Sequence, residues 1–131
     1  MIEAFAALAI ALPGATFPGI LVQGGFMTPS GNIACNVGKL GQRSNAPLGI
    51  GCALYSKRDS RQAIATWWMR TGGPAAFAYV VADPASDYPR LAYGKAYAWH
   101  GIRCTSAATG LTCRNTSGHG FFLSRARQRI L

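Results

Sequence analysis

Two cysteines, Cys104 and Cys113, flank a turn-prone centre in I-R-C-T-S-A-A-T-G-L-T-C-R-N-T-S-G-H-G-F-F (residues 102–122), and this segment constrains the fold more than any other. With residues 107–110 as the loop, Ser106 faces Leu111, Thr105 faces Thr112, Cys104 faces Cys113 and Arg103 faces Arg114. Gly110 is expected to supply the positive φ of a four-residue hairpin loop. Strand side chains alternate between faces. One face therefore carries Ile102, Cys104, Leu111 and Cys113, and the other carries Arg103, Thr105, Thr112 and Arg114. Directly opposed cysteines lie within reach of a disulfide. Two opposed arginines repel, so their face is expected to open to water or to an anion.

The other two cysteines, Cys35 and Cys52, form a second local pair, and Cys35–Cys52 with Cys104–Cys113 is the expected connectivity. No C-x-x-C occurs and the chain has 2 histidines, which argues against a structural zinc site. No cofactor or metal is expected. Stable disulfides belong to oxidising compartments, so a secreted or periplasmic, cell-envelope location is expected. Residues 4–12 (A-F-A-A-L-A-I-A-L) fit a signal-peptide core and are too short to span a membrane. Glu3 and the absence of a preceding Lys or Arg make this leader atypical, and an ordinary N-terminal helix is the alternative. The expected division is a signal peptide or leader, with an N-terminal apolar helix, over residues 1–24 and a single β-rich, disulfide-stapled domain over residues 25–131.

Charge is lopsided. Thirteen Lys and Arg stand against 4 Asp and Glu, for a net +9. The acids are Glu3, Asp59, Asp83 and Asp87, so Arg90, Lys95, Arg103, Arg114, Arg125, Arg127 and Arg129 follow the last of them. Such a surface attracts polyanions in general: an anionic polymer or envelope surface is the expected partner, with no specific nucleic acid, and the chain is expected to be a monomer.

Short apolar stretches between turn signals run along the chain: 33–37, 48–55, 75–82, 91–99 and 120–124 read as strands, and 125–131 as a basic C-terminal turn. Gly49 and Gly51 suggest a bulge or a close backbone approach. Residues 62–71 fit either a helix, with Ile64, Trp67 and Trp68 on one side, or a strand. No internal repeat is evident. The pattern predicts an all-β, disulfide-stapled sandwich or barrel-like domain of short antiparallel strands.

The segments F-M-T-P-S-G-N-I-A-C (26–35), L-A-Y-G (91–94), G-I-R-C (101–104) and G-L-T-C-R-N-T-S-G-H-G-F-F-L-S-R (110–125) resemble those of a family of small secreted bacterial proteins. It is best known from actinobacteria and is classed as a domain of unknown function. Members of that family usually carry three local cysteine pairs, and here both partners of the middle pair are absent. The resemblance implies a strand–turn–strand over residues 67–81 and implies no activity.

His119, between glycines, and His100 could divide general-acid and general-base work beside Arg103, Arg114 or Lys95, as in a small secreted hydrolase of ribonuclease-like or cell-wall-acting type. The structural alternative is a turn at 118–120 that leads Phe121 into the core. Ser30, Ser106 and Ser124 lack a nucleophile-elbow context, and no glycine pattern makes a phosphate loop. On a regular strand, Tyr93, Tyr97 and Trp99 would form an aromatic stripe beside Lys95, Arg103 and Arg114, and these six are the expected binding residues. A non-catalytic binding module is the leading expectation, with the hydrolase as its alternative. N-T-S at 115–117 also matches a glycosylation sequon.

Overall fold

The computed structural model describes residues 15–131, so the apolar run 4–12 of the expected leader helix falls outside the described residues. Ten strands follow one another: β1 (Leu21–Met27), β2 (Ile33–Lys39), β3 (Leu48–Arg58), β4 (Ile64–Arg70), β5 (Ala76–Val80), β6 (Ala96–Trp99), β7 (Ile102–Ala107), β8 (Gly110–Arg114), β9 (Gly120–Leu123) and β10 (Gln128–Ile130). They form two five-stranded antiparallel sheets, β1-β2-β3-β4-β5 and β10-β9-β8-β7-β6. Each sheet is a simple meander, and one buried core draws side chains from both. The protein is all-β and a sandwich rather than a barrel, since two separate sheets share that core.

Register explains the core. Across the N-terminal sheet, Phe26, Cys35, Cys52, Trp67 and Phe77 lie abreast. Across the C-terminal sheet, Tyr97, Cys104, Cys113 and Phe121 do the same. Both cystines form as expected, each between the second and third strands of its meander, with Cα atoms 4.1 and 4.0 Å apart. That close approach suits a directly opposed pair. Each cystine is flanked by aromatic residues, and the rings of Phe26 and Tyr97 meet across the sheets at 4.8 Å. The two halves thus share one plan, although no repeat is evident in the sequence.

The two outer faces differ. In the C-terminal sheet β7 alternates strictly between buried and exposed residues, the mark of a sheet with one solvated face. In β2, β4 and the 49–54 stretch of β3 nearly every residue is buried. Two segments cover that outer face. Phe17 sets its ring edge-on to Trp68 at 5.0 Å. Gly51 lies beneath Phe17 and Ile20, where a Cβ would come within 2.8 Å of Ile20 Cδ1. On the other side Asn36 Nδ2 donates to the Ala85 carbonyl at 2.8 Å, and Asn36 Oδ1 accepts from Ala85 N–H at 3.0 Å. The close approach expected at Gly51 is therefore real, and its physical cause is the crossing N-terminal segment. Because β1 begins at Leu21 and Phe17 packs beyond it, the boundary expected at 24 falls inside β1.

Several expectations are corrected. Residues 64–70 are strand, which removes the helical alternative for that segment. The cystine hairpin keeps the expected register but gains the pair Ala107–Gly110, leaving a two-residue turn at Ala108 and Thr109. Gly110 does have the expected positive φ, 149°, and space also requires glycine there: a Cβ would lie 2.7 Å from Phe122 Cε1. Residues 125–131 are not only a turn, for Gln128–Ile130 is an edge strand paired with β9. Strand β6 is shorter than 91–99, because residues 91–95 turn and Leu91 N–H donates to the Met27 carbonyl.

Candidate functional site: the bare face of the C-terminal sheet

The alternation of β7 and β8 sends Arg103 and Arg114 outward, directly opposite each other, with Ala98 and Gly120 completing their row. The next row holds Ala96, Thr105, Thr112, Phe122 and Arg129. Small residues at Ala96, Ala98 and Gly120 keep this surface flat. The Arg127 guanidinium sits 5.7 Å over the Phe122 ring, a cation–π contact that holds a third arginine against the sheet. Four guanidiniums thus gather on one face. Among the described residues the ion pair Arg61–Asp59 lies in the β3–β4 turn, and no carboxylate pairs with these four. Like charges directly opposed are destabilising, so Arg103 and Arg114 gain when an anion sits between them.

Arg114 is further held by its neighbouring loop, donating from Nη1 to the Gly118 carbonyl at 2.8 Å. That loop is organised by Asn115, which is 7 % exposed. Its Nδ2 donates to the Arg70 and Gly73 carbonyls at 3.0 and 2.8 Å. Its Oδ1 accepts from Ser117 N–H, Ser117 Oγ and His119 N–H. Thr116 Oγ1 adds a bond to the Thr71 carbonyl at 2.7 Å, and Ser117 Oγ accepts from Gly73 N–H. The N-T-S-G-H segment is therefore a clasp joining the two sheets. The side-chain nitrogen of the sequon asparagine is committed to two main-chain carbonyls.

The six residues expected to bind do not form one surface. Arg103 and Arg114 face outward, whereas Tyr97 and Trp99 turn inward against the core. The physical reason is parity: Tyr97 pairs with Cys104 and Ala98 with Arg103, so the aromatic and basic residues occupy opposite faces. Burial, and secondarily the neighbouring Tyr88, hold the Tyr97 hydroxyl above the usual tyrosine range, against a smaller lowering by a backbone bond at Gly25. Tyr93 and Lys95 lie exposed in the turn before β6. Sequence reading missed Arg127, Arg129 and Phe122. Residues 125–131 read as a turn in sequence, and the period-two spacing of Arg125, Arg127 and Arg129 is the signal that could have marked a strand there.

His100 sits at φ 48° in the β6–β7 turn with its ring edge-on to Trp99 at 4.5 Å. His119 lies in the β8–β9 turn, its backbone N–H and carbonyl both bonded to Asn115. The two turns adjoin at one end of the sheet, where Gly101 has room for Thr116 only because it lacks a Cβ. Among the described residues neither imidazole bonds to a carboxylate that would orient it as a base, and no cluster of three His, Cys, Asp or Glu could hold a metal ion.

The fold and the site define a class: a cystine-bonded β-sandwich with one covered sheet face and one bare, arginine-bearing face. Residues 74–131 match a family of unknown function (DUF6636). The matched stretch runs from β5 to the C-terminus and contains the entire arginine-bearing sheet. No curated protein and no solved structure matches the chain.

Proposed function

We propose that the protein is an exported, non-catalytic binding module whose bare C-terminal sheet face holds an anionic polymer of the cell envelope. The carrying observation is the juxtaposition of Arg103, Arg114, Arg127 and Arg129 on one flat face, none of them in a described ion pair. Two buried cystines support a life in an oxidising compartment. No helix of the described residues is long and apolar enough to cross a membrane.

The test is the salt dependence of binding to immobilised polyphosphate. Four contacts, at the slope of about −0.7 per contact found for flexible single-stranded polyanions, give a log–log slope of about −2.8. Affinity should then fall roughly 50-fold between about 50 and 200 mM salt. The double variant Arg103→Ala/Arg114→Ala should halve the slope. Binding that is indifferent to salt, or a double variant that keeps the full slope, refutes the reading.

A further inference from the structure

The opposite end of the sandwich from the Asn115 clasp carries a cleft of about 180 Å³, formed where the two sheets meet. The turn at 28–32, the β7–β8 hairpin and the β9–β10 turn line it, with Tyr93 at its margin. Three segments far apart in sequence converge here: T-P-S-G-N, L-A-Y-G and F-L-S-R. Their meeting follows from backbone bonds. Met27 N–H donates to Pro89, and Leu91 N–H donates to Met27, which brings the 91–94 turn beside the 28–32 turn. Gly31 adopts φ 78° to make that turn tight.

The polar groups of the cleft are unevenly used. Thr28 Oγ1 accepts from Ile33 N–H, and Ser124 Oγ is spent on Arg127 N–H and its carbonyl. Ser30 Oγ accepts from Asn32 N–H, which leaves its own O–H to donate. Ser106 is 1 % exposed and lines the cleft. It stands on the buried face of β7 with Ile102 and Cys104, so it forms part of the cleft floor. Thr109 adds a second hydroxyl, and Arg125 supplies a guanidinium with no described ion pair. Tyr93, 55 % exposed, offers an aromatic face.

From this set we infer that the cleft binds a single sugar ring bearing a carboxylate, a uronic acid, either free or at the end of a polymer. The volume lies below the roughly 300–1,000 Å³ of drug-sized pockets and suits one ring. Hydroxyls at Ser30 and Thr109 match ring hydroxyls, the planar fork of Arg125 matches a carboxylate, and the Tyr93 ring covers an apolar C–H face. The site is separate from the bare sheet face and does not depend on that face binding anything.

The experiment is a titration of the isotope-labelled, disulfide-intact protein with glucuronate, glucose and acetate at about 150 mM salt, where long-range attraction is screened. Glucuronate should produce saturable amide shifts centred on Ser106, Thr109 and Arg125, with glucose and acetate each bound at least about tenfold more weakly. Arg125→Gln should reduce glucuronate to the affinity of glucose, and Tyr93→Ala should weaken both sugars together; both residues are exposed, so a native spectrum confirms each variant's fold. Acetate binding as well as glucuronate, shifts spread over Arg103, Arg114 and Arg129, or an Arg125→Gln variant of unchanged affinity would each overturn the assignment.

Discussion

Replacing Asn115 by alanine should cost this protein more stability than any other single polar change on its surface loops. The side chain makes five described hydrogen bonds, four of them to main-chain groups: two carbonyls on the 70–73 turn and two N–H groups in its own loop. A typical bond contributes about 0.5–1.5 kcal/mol net. Four bonds with partial rehydration of the exposed partners then amount to about 3 kcal/mol. For a domain of this size that shifts the melting temperature down by about 12 °C. Urea unfolding followed by tryptophan fluorescence measures it directly, because Trp67 is buried in the core. Asn115→Asp separates the two halves of the role. It preserves the acceptor oxygen but sets a carboxylate against the Arg70 and Gly73 carbonyls, so at neutral pH it should destabilise at least as much as Asn115→Ala. An alanine variant within about 0.5 kcal/mol of the native protein, or an aspartate variant milder than alanine, would refute the clasp. Because Arg114 donates into the same loop at Gly118, the damage should also reach the basic face.

The cystines give a paired expectation. Cys35→Ala/Cys52→Ala and Cys104→Ala/Cys113→Ala, with sequence separations of 17 and 9, should each lower stability by about 3 kcal/mol in the chain-entropy model, the first slightly more; native-like urea midpoints in either would contradict this. At Asp59, slight desolvation pushes the carboxyl up, but bonds from the Arg61 side chain and from Ala63 and Arg61 N–H outweigh it and hold the group below the ordinary carboxylate value. The β3–β4 turn should therefore be fully held above a pH of about 4 and released only as pH falls through the lowered value; acid titration of the Ala63 amide signal checks it, and a midpoint at or above the ordinary value would argue against it. For Tyr97 the sign is opposite: its raised value means that stability is intact below about pH 10 and is lost as pH climbs through the folded-state value. In a tyrosinate absorbance titration, Tyr97→Phe should remove a late-ionising step. Phe17→Ala strips the ring from Trp68; its half-buried position points to a loss of about 1–2 kcal/mol, less than for a fully buried phenylalanine, and hydrogen exchange in β3 and β4 should rise.

Much of this architecture was legible in the sequence because the relevant rules are local. Cysteine spacing, the alternation around 102–114 and the turn residues settled the all-β class, both disulfides and the register of the cystine hairpin before any packing was known. Charge counting placed seven cations after Asp87 and so foretold a basic C-terminal half. Parity along β7 even assigned Arg103 and Arg114 to the outer face. Tertiary structure decided the rest. A strand's own pattern cannot say whether its second face is covered, so Asn36 and Thr66 read as ordinary strand residues until the segments at 17–20 and 82–88 fold over that face. The turn at 91–95 broke the strand that would have aligned Tyr93 with Tyr97 and Trp99, and pairing through Cys104 turned those last two inward. Asn115 looked like a sequon and His119 like a base, because the hydrogen bonds that define both run to residues more than forty positions away or are set by the clasp itself. Interactions with near neighbours are encoded in spacing; those between the two sheets exist only once the sheets have met.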